Sequence, residues 1–61
     1  MQTSSIVTHK NGFNVDVYIN WHKGIMELRK IGSNKFFSGK LSTYTNFKGN
    51  LADFVNKHTF N

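Results

Sequence analysis

Sixty-one residues with no cysteine, no proline and a formal net charge of +5 describe one small domain built without disulfides or thiolate metal sites. A chain of this size buries only about 60% of its unfolded surface, so it depends on dense packing or on a second copy of itself, and a homodimer is one expected state. The excess of 8 basic over 3 acidic residues excludes an acidic mimic of DNA and favours polyanionic partners, although a few surplus charges also serve solubility.

Nothing marks a targeting or membrane segment. Met1–Ser5 has neither a basic start nor an apolar core, so no signal peptide is expected. The apolar runs are two or three residues long, far short of the roughly 20 that a spanning helix requires. A cytoplasmic protein beginning at its own Met1 is the expectation. The frequent Asn, Lys and Phe point to AT-rich coding and to a compact genome such as that of a phage.

The first strong local signal is Asn11-Gly12, which favours a two-residue turn with both residues left-handed. It joins a strand near 3–10 to one near 13–22. Phe13-Asn14-Val15-Asp16-Val17-Tyr18-Ile19-Asn20 alternates apolar and polar, as a half-buried strand does. Turning on Asn11-Gly12 sets Thr8 opposite Val15 and Ile6 opposite Val17, and puts Val7 on the polar face beside Asp16.

A turn at Lys23-Gly24 leads into a third strand near 25–31. It sets Trp21 opposite Met26, Ile19 opposite Leu28, Tyr18 opposite Arg29 and Asn20 opposite Glu27. A rival reading makes Trp21–Ile31 a helix capped by Asn20. It places Gly24 inside that helix, at about 1 kcal/mol relative to Ala. A loop at Gly32-Ser33-Asn34-Lys35 opens a fourth strand near 36–45, pairing Met26 with Leu41, Glu27 with Lys40, Arg29 with Ser38 and Ile31 with Phe36. Gly39 marks a bulge or a close approach by the helix.

The period then changes. Asn50 is a good N-cap and Asp53 suits the first turn. Leu51, Phe54, Val55 and His58 fall on one helical stripe, which predicts a helix over 50–58 docked on the sheet. The expected fold is α+β: a four-stranded antiparallel meander with one C-terminal helix on one face. The expected core is Ile6, Phe13, Val15, Val17, Ile19, Trp21, Met26, Leu28, Phe37, Leu41, Leu51, Phe54 and Val55.

No catalytic apparatus is legible. Asp16 and Glu27 lie on an open polar face and read as solvated charges rather than as positioned acid–base groups. His9, His22 and His58 come from separate elements without metal-ligand spacing. No phosphate-binding glycine loop or nucleophile elbow occurs. A non-enzymatic protein without cofactor or metal is expected.

The candidate site is the face away from the helix. Tyr18, Ile25, Arg29, Ile31, Phe36 and Lys40 share it, with Tyr44 near its edge and Lys23 in the turn beside Trp21 and His22. Apolar and aromatic residues among basic ones indicate a binding surface. Two partner classes follow. Single-stranded DNA, duplex DNA or RNA would stack on Tyr18, Phe36 and Tyr44 and meet Lys23, Arg29 and Lys40 through phosphates. Alternatively a host protein would bury Ile25, Ile31 and Phe36, with the chain acting as a small regulator or inhibitor.

Overall fold

The computed structural model describes residues 1–60. Four strands run in chain order, β1 Gln2–Thr8, β2 Asn14–Asn20, β3 Ile25–Lys30 and β4 Phe36–Lys40, followed by two short helices, α1 Leu41–Thr45 and α2 Leu51–Asn56. The strands form one antiparallel meander of order β1-β2-β3-β4. The expected α+β architecture is therefore present, with one helix more than expected. The segment 25–30 is strand, which removes the helical reading of Trp21–Ile31.

Turn chemistry sets the registers, and it differs from the expectation at each hairpin. At the first turn Gly12 alone is left-handed, at φ 96°. Its N–H donates to the His9 carbonyl at 2.9 Å, and the His9 N–H donates to the Phe13 carbonyl at 2.7 Å. The loop is thus Lys10-Asn11-Gly12, a type I turn closed by a left-handed glycine, rather than a two-residue turn. One added loop residue slips the pairing by one and exchanges the faces of β1. Val7 now lies opposite Val15, and Ile6 opposite Asp16. Val7 packs against the core while Ile6 is 65% exposed, which corrects the placement of Ile6 in the core.

The second and third hairpins are each shifted by two residues, which preserves the faces. Asn20 organises the second. Its carbonyl accepts from the Gly24 N–H at 2.9 Å and its Oδ1 accepts from the Lys23 N–H at 3.0 Å. The loop is Trp21–Gly24, and Ile19 pairs with Met26, Val17 with Leu28, Tyr18 with Glu27 and Asp16 with Arg29. Trp21 therefore leaves the sheet. It is 44% exposed, its indole N–H donating to Thr3 Oγ1 at 2.9 Å, so it is not a core residue.

In the third hairpin Lys30 N–H donates to the Lys35 carbonyl at 3.1 Å, which leaves Ile31 in the loop. Met26 pairs with Gly39, Glu27 with Ser38, Leu28 with Phe37, Arg29 with Phe36 and Ile25 with Lys40. Since Lys40 already faces the first residue of β3, the chain beyond it has no strand to pair with. The expected strand over 36–45 ends there, and 41–45 coils into α1. Gly39 answers the Phe37 ring rather than a bulge or the helix: a Cβ there would meet Phe37 Cζ at 2.9 Å.

One face of the sheet carries Val7, Val15, Val17, Ile19, Met26, Leu28 and Phe37, and Leu41, Phe54 and Val55 close over it. Phe54 is fully buried. Tyr44, Phe47 and His58 meet its ring edge-on, with centroids 5.2, 5.4 and 5.0 Å away. The helix that delivers it has only six residues and would not persist alone. A reciprocal capping box, Asn50 Oδ1 accepting from the Asp53 N–H and Asp53 Oδ2 accepting from the Asn50 N–H, fixes its start.

Phe54→Ala removes a fully buried ring, at about 3–5 kcal/mol; urea unfolding followed by circular dichroism should find the variant largely unfolded in water, and a variant as stable as the parent would contradict this core. Val7→Ala should lower the urea midpoint clearly while Ile6→Ala shifts stability by less than about 0.5 kcal/mol; the reverse ranking would restore the one-residue slip.

Candidate functional site

The face opposite the helices is uncovered. Its cross-strand rows follow from the register. Ile6, Asp16, Arg29 and Phe36 form one row; Ser4, Tyr18, Glu27 and Ser38 the next; Gln2, Asn20, Ile25 and Lys40 the third. Ile31 extends the first corner, its N–H donating to the Asn14 carbonyl at 3.0 Å.

Most of the expected site residues converge on the β3–β4 half of this face. Arg29, Phe36 and Lys40 stand there with Ile25. Ile31 lies beside them in the loop, 47% exposed, and Phe36 is 61% exposed. Lys23 is in the turn at the Ile25–Lys40 end, where the Gly24 carbonyl accepts from the Leu41 N–H at 2.8 Å. Tyr18 occupies the middle row on β2, half-buried, with Asn20 Nδ2 donating to its hydroxyl at 3.4 Å.

Tyr44 does not belong to the group. The end of β4 at Lys40 puts it on α1, on the opposite side of the sheet, where its ring packs on Phe54. Ile6 does belong to the open face, although its sequence reading assigned it to the core. The signal was present in the misfit of Val7, which a one-residue change of turn length resolves.

The electrostatics are uneven. Within β1 and β2 the only charged side chain is Asp16, with Lys10 in the turn that joins them and the Met1 ammonium beside the start of β1. In the β3–β4 half Arg29 and Lys40 stand against Glu27, with Lys23 and Lys35 in the flanking turns. Arg29 Nη2 donates to Glu27 Oε1 at 3.1 Å. This exposed pair contributes little to stability, and it holds the guanidinium over the middle of the face beside Phe36.

Two of the three histidines, His9 and His58, serve structure. His9 is 1% exposed and stacks on Phe13 with centroids 4.4 Å apart. Its Nδ1 accepts from the Asn11 N–H at 3.1 Å, so Nε2 carries the proton and donates to the His58 carbonyl at 2.7 Å. His58 Nδ1 in turn donates to the Phe54 carbonyl at 2.9 Å. His9 thereby fastens the first turn to the end of α2, helped by Lys10 N–H donating to Asn56 Oδ1 at 2.8 Å. Both of its nitrogens are engaged, which leaves no lone pair for a ligand. Among the described residues no three His, Asp or Glu side chains gather as a metal site, and no helix is long and apolar enough to cross a membrane.

Long-range nitrogen–proton NMR should find neutral His9 as the Nε2–H tautomer and His58 as Nδ1–H. His9→Phe, which keeps the stacking but strands the Asn11 N–H and the His58 carbonyl, should lose about 1–3 kcal/mol. Compared with models of protein families, with curated proteins and with solved structures, the chain finds no match.

Proposed function

We propose that the protein is a non-enzymatic nucleic-acid-binding module that engages a single strand on the β3–β4 half of its open sheet face. The observation that carries this reading is Phe36. Its ring is 61% exposed on an uncovered face, with Arg29 directly across the strand pair and Lys35 next to it in the chain. An exposed aromatic ring offers a stacking platform for a base, and basic groups around it meet the adjoining phosphates. Lys40 lies four residues further along β4, about 13 Å at strand rise, with Lys23 at the same end. The charge of +5 adds long-range attraction for a polyanion. A cytoplasmic setting accords with the lack of cysteine.

A specific observation favours a second reading. Glu27 and Asp16 stand in the same face, and Glu27 engages Arg29. A near-neutral surface with exposed Ile25, Ile31 and Phe36 also suits a protein partner, in which case the chain regulates or inhibits a host protein.

Anisotropy of a labelled single-stranded oligonucleotide separates the two. Affinity should fall steeply between about 50 and 200 mM salt. Phe36→Ala should weaken binding by about 5- to 150-fold, the loss of one stacked base. Lys40→Ala should flatten the logarithmic salt slope by about 0.7. Absence of binding to single strands and duplexes at the lower salt would sink the nucleic-acid reading and direct attention to a protein captured through Phe36.

A further inference from the structure

The sheet has two edges, and they are not equivalent. The outer edge of β4 is short, ends at Lys40 and is followed at once by α1. The outer edge of β1 is Gln2-Thr3-Ser4-Ser5-Ile6-Val7-Thr8, without charge, proline or glycine. Natural edges are ordinarily blunted by lysine, proline, a bulge or a covering segment. β1 has none of the first three, and its register with β2 runs unbroken from Gln2 to Thr8.

The direction of its backbone groups is fixed by two bonds at its ends. Trp21 N–H donates to the Met1 carbonyl at 3.0 Å, and His9 N–H donates to the Phe13 carbonyl at 2.7 Å. Hydrogen-bonded pairs alternate along an antiparallel ladder. Residues 1, 3, 5, 7 and 9 therefore bond inward to β2. The N–H and carbonyl of Gln2, Ser4, Ile6 and Thr8 point away from the sheet and have no strand to meet.

We infer that β1 pairs with β1 of a second copy, antiparallel about a two-fold axis at Ser5, joining two sheets into one. The occupant is a second copy because the strand is self-complementary in this register. Gln2 then faces the partner's Thr8 and Ser4 faces the partner's Ile6, so every outward amide and carbonyl of one strand meets one of the other. On the helix side Thr3 faces the partner's Val7, and Ser5 faces the partner's Ser5. From Gln2 to Thr8 no charge opposes a like charge along the seam, although each copy carries +5. Opposed residues of an antiparallel pair share a face, so the two helical layers lie on the same side and the open faces become continuous. The pairing uses backbone edges that the proposed nucleic-acid contacts on β3 and β4 do not involve, and it stands or falls separately from them. A single strand pair buries less surface than a standard interface of about 1,600 Å², so the dimer is weak, and its affinity rises with salt as the net repulsion is screened.

The absence of native cysteine makes a register test direct. In Ser5→Cys the two thiols sit on the axis in a non-hydrogen-bonded pair, with Cα atoms about 4.5 Å apart, inside the range a disulfide spans. In Ser4→Cys they are diagonal, about 7–8 Å apart, beyond that range. Under mild oxidation Ser5→Cys should yield covalent dimer at least about tenfold faster than Ser4→Cys. Sedimentation of the parent should show mass rising with concentration from 7.0 kDa, and more so at higher salt. Ser4→Pro removes an outward N–H that an edge strand can spare, so it should stay monomeric with an unchanged circular dichroism spectrum. Should Ser4→Pro fail to fold, the cysteine pair decides. A parent that remains monomeric at submillimolar concentration overturns the proposal. So does equal cross-linking at positions 4 and 5, or a folded Ser4→Pro that still dimerises.

Discussion

The Phe54 ring is the contact on which the two layers close. It is fully buried beneath the sheet, ringed by Phe37, Tyr44, Phe47 and His58, and it draws those groups from β4, α1, the connection between the two helices and the tail after α2. Edge-to-face aromatic pairs contribute about 0.5–1.5 kcal/mol each beyond the area they bury. In a domain of marginal size that is a large share of net stability. The sheet alone would expose Val15, Val17, Met26 and Leu28 to water, and the helices alone are too short to persist. Each becomes stable only against the other.

That closure uses one face of the sheet and leaves its reverse to water. The open face is consequently free of packing demands, and its composition has to be explained by something else. Its β1–β2 half is mostly polar, with Asp16 and one exposed aliphatic side chain, Ile6, whereas its β3–β4 half gathers the exposed Phe36, Ile25 and Ile31 with Arg29 and Lys40. The functional reading rests on this contrast within one surface, more than on the total charge. Lys30 and Lys57 illustrate why. Their ammonium groups lie over aromatic rings, Lys30 at 4.4 Å from the Phe13 centroid and Lys57 at 5.0 Å from that of Phe54, where they cap the core.

Much of this was legible in the sequence. The alternation from Asn14 to Asn20, the apolar positions Met26 and Leu28, and the Leu51–Phe54–Val55 stripe each gave the right element and the right face. What was not legible was loop length. Asn11-Gly12 reads as a two-residue turn, but His9 Nδ1 bonds the Asn11 N–H and only Gly12 is left-handed; the loop gains a residue and β1 turns over. Asn20 likewise holds a longer loop than Lys23-Gly24 implies. Those side-chain bonds depend on the folded surroundings, since the buried position of His9 requires α2 to be in place. The candidate site survived because two of the three errors were even-numbered and preserved the faces. Tyr44 was lost from it because the same shift ended β4 early.

The meander has a kinetic consequence. Every strand pairs with its neighbour in the chain, so each hairpin closes over a short loop at small entropic cost, and a topology dominated by local contacts folds fast. The joining of the first turn to the end of α2 is different in kind: the hydrogen bond from His9 to the His58 carbonyl spans 49 residues. Hairpins can form and dissolve one at a time, but that clasp exists only when the whole chain is assembled. Cooperativity in this small protein is therefore concentrated at one end of the sheet, where the earliest turn and the last helix meet.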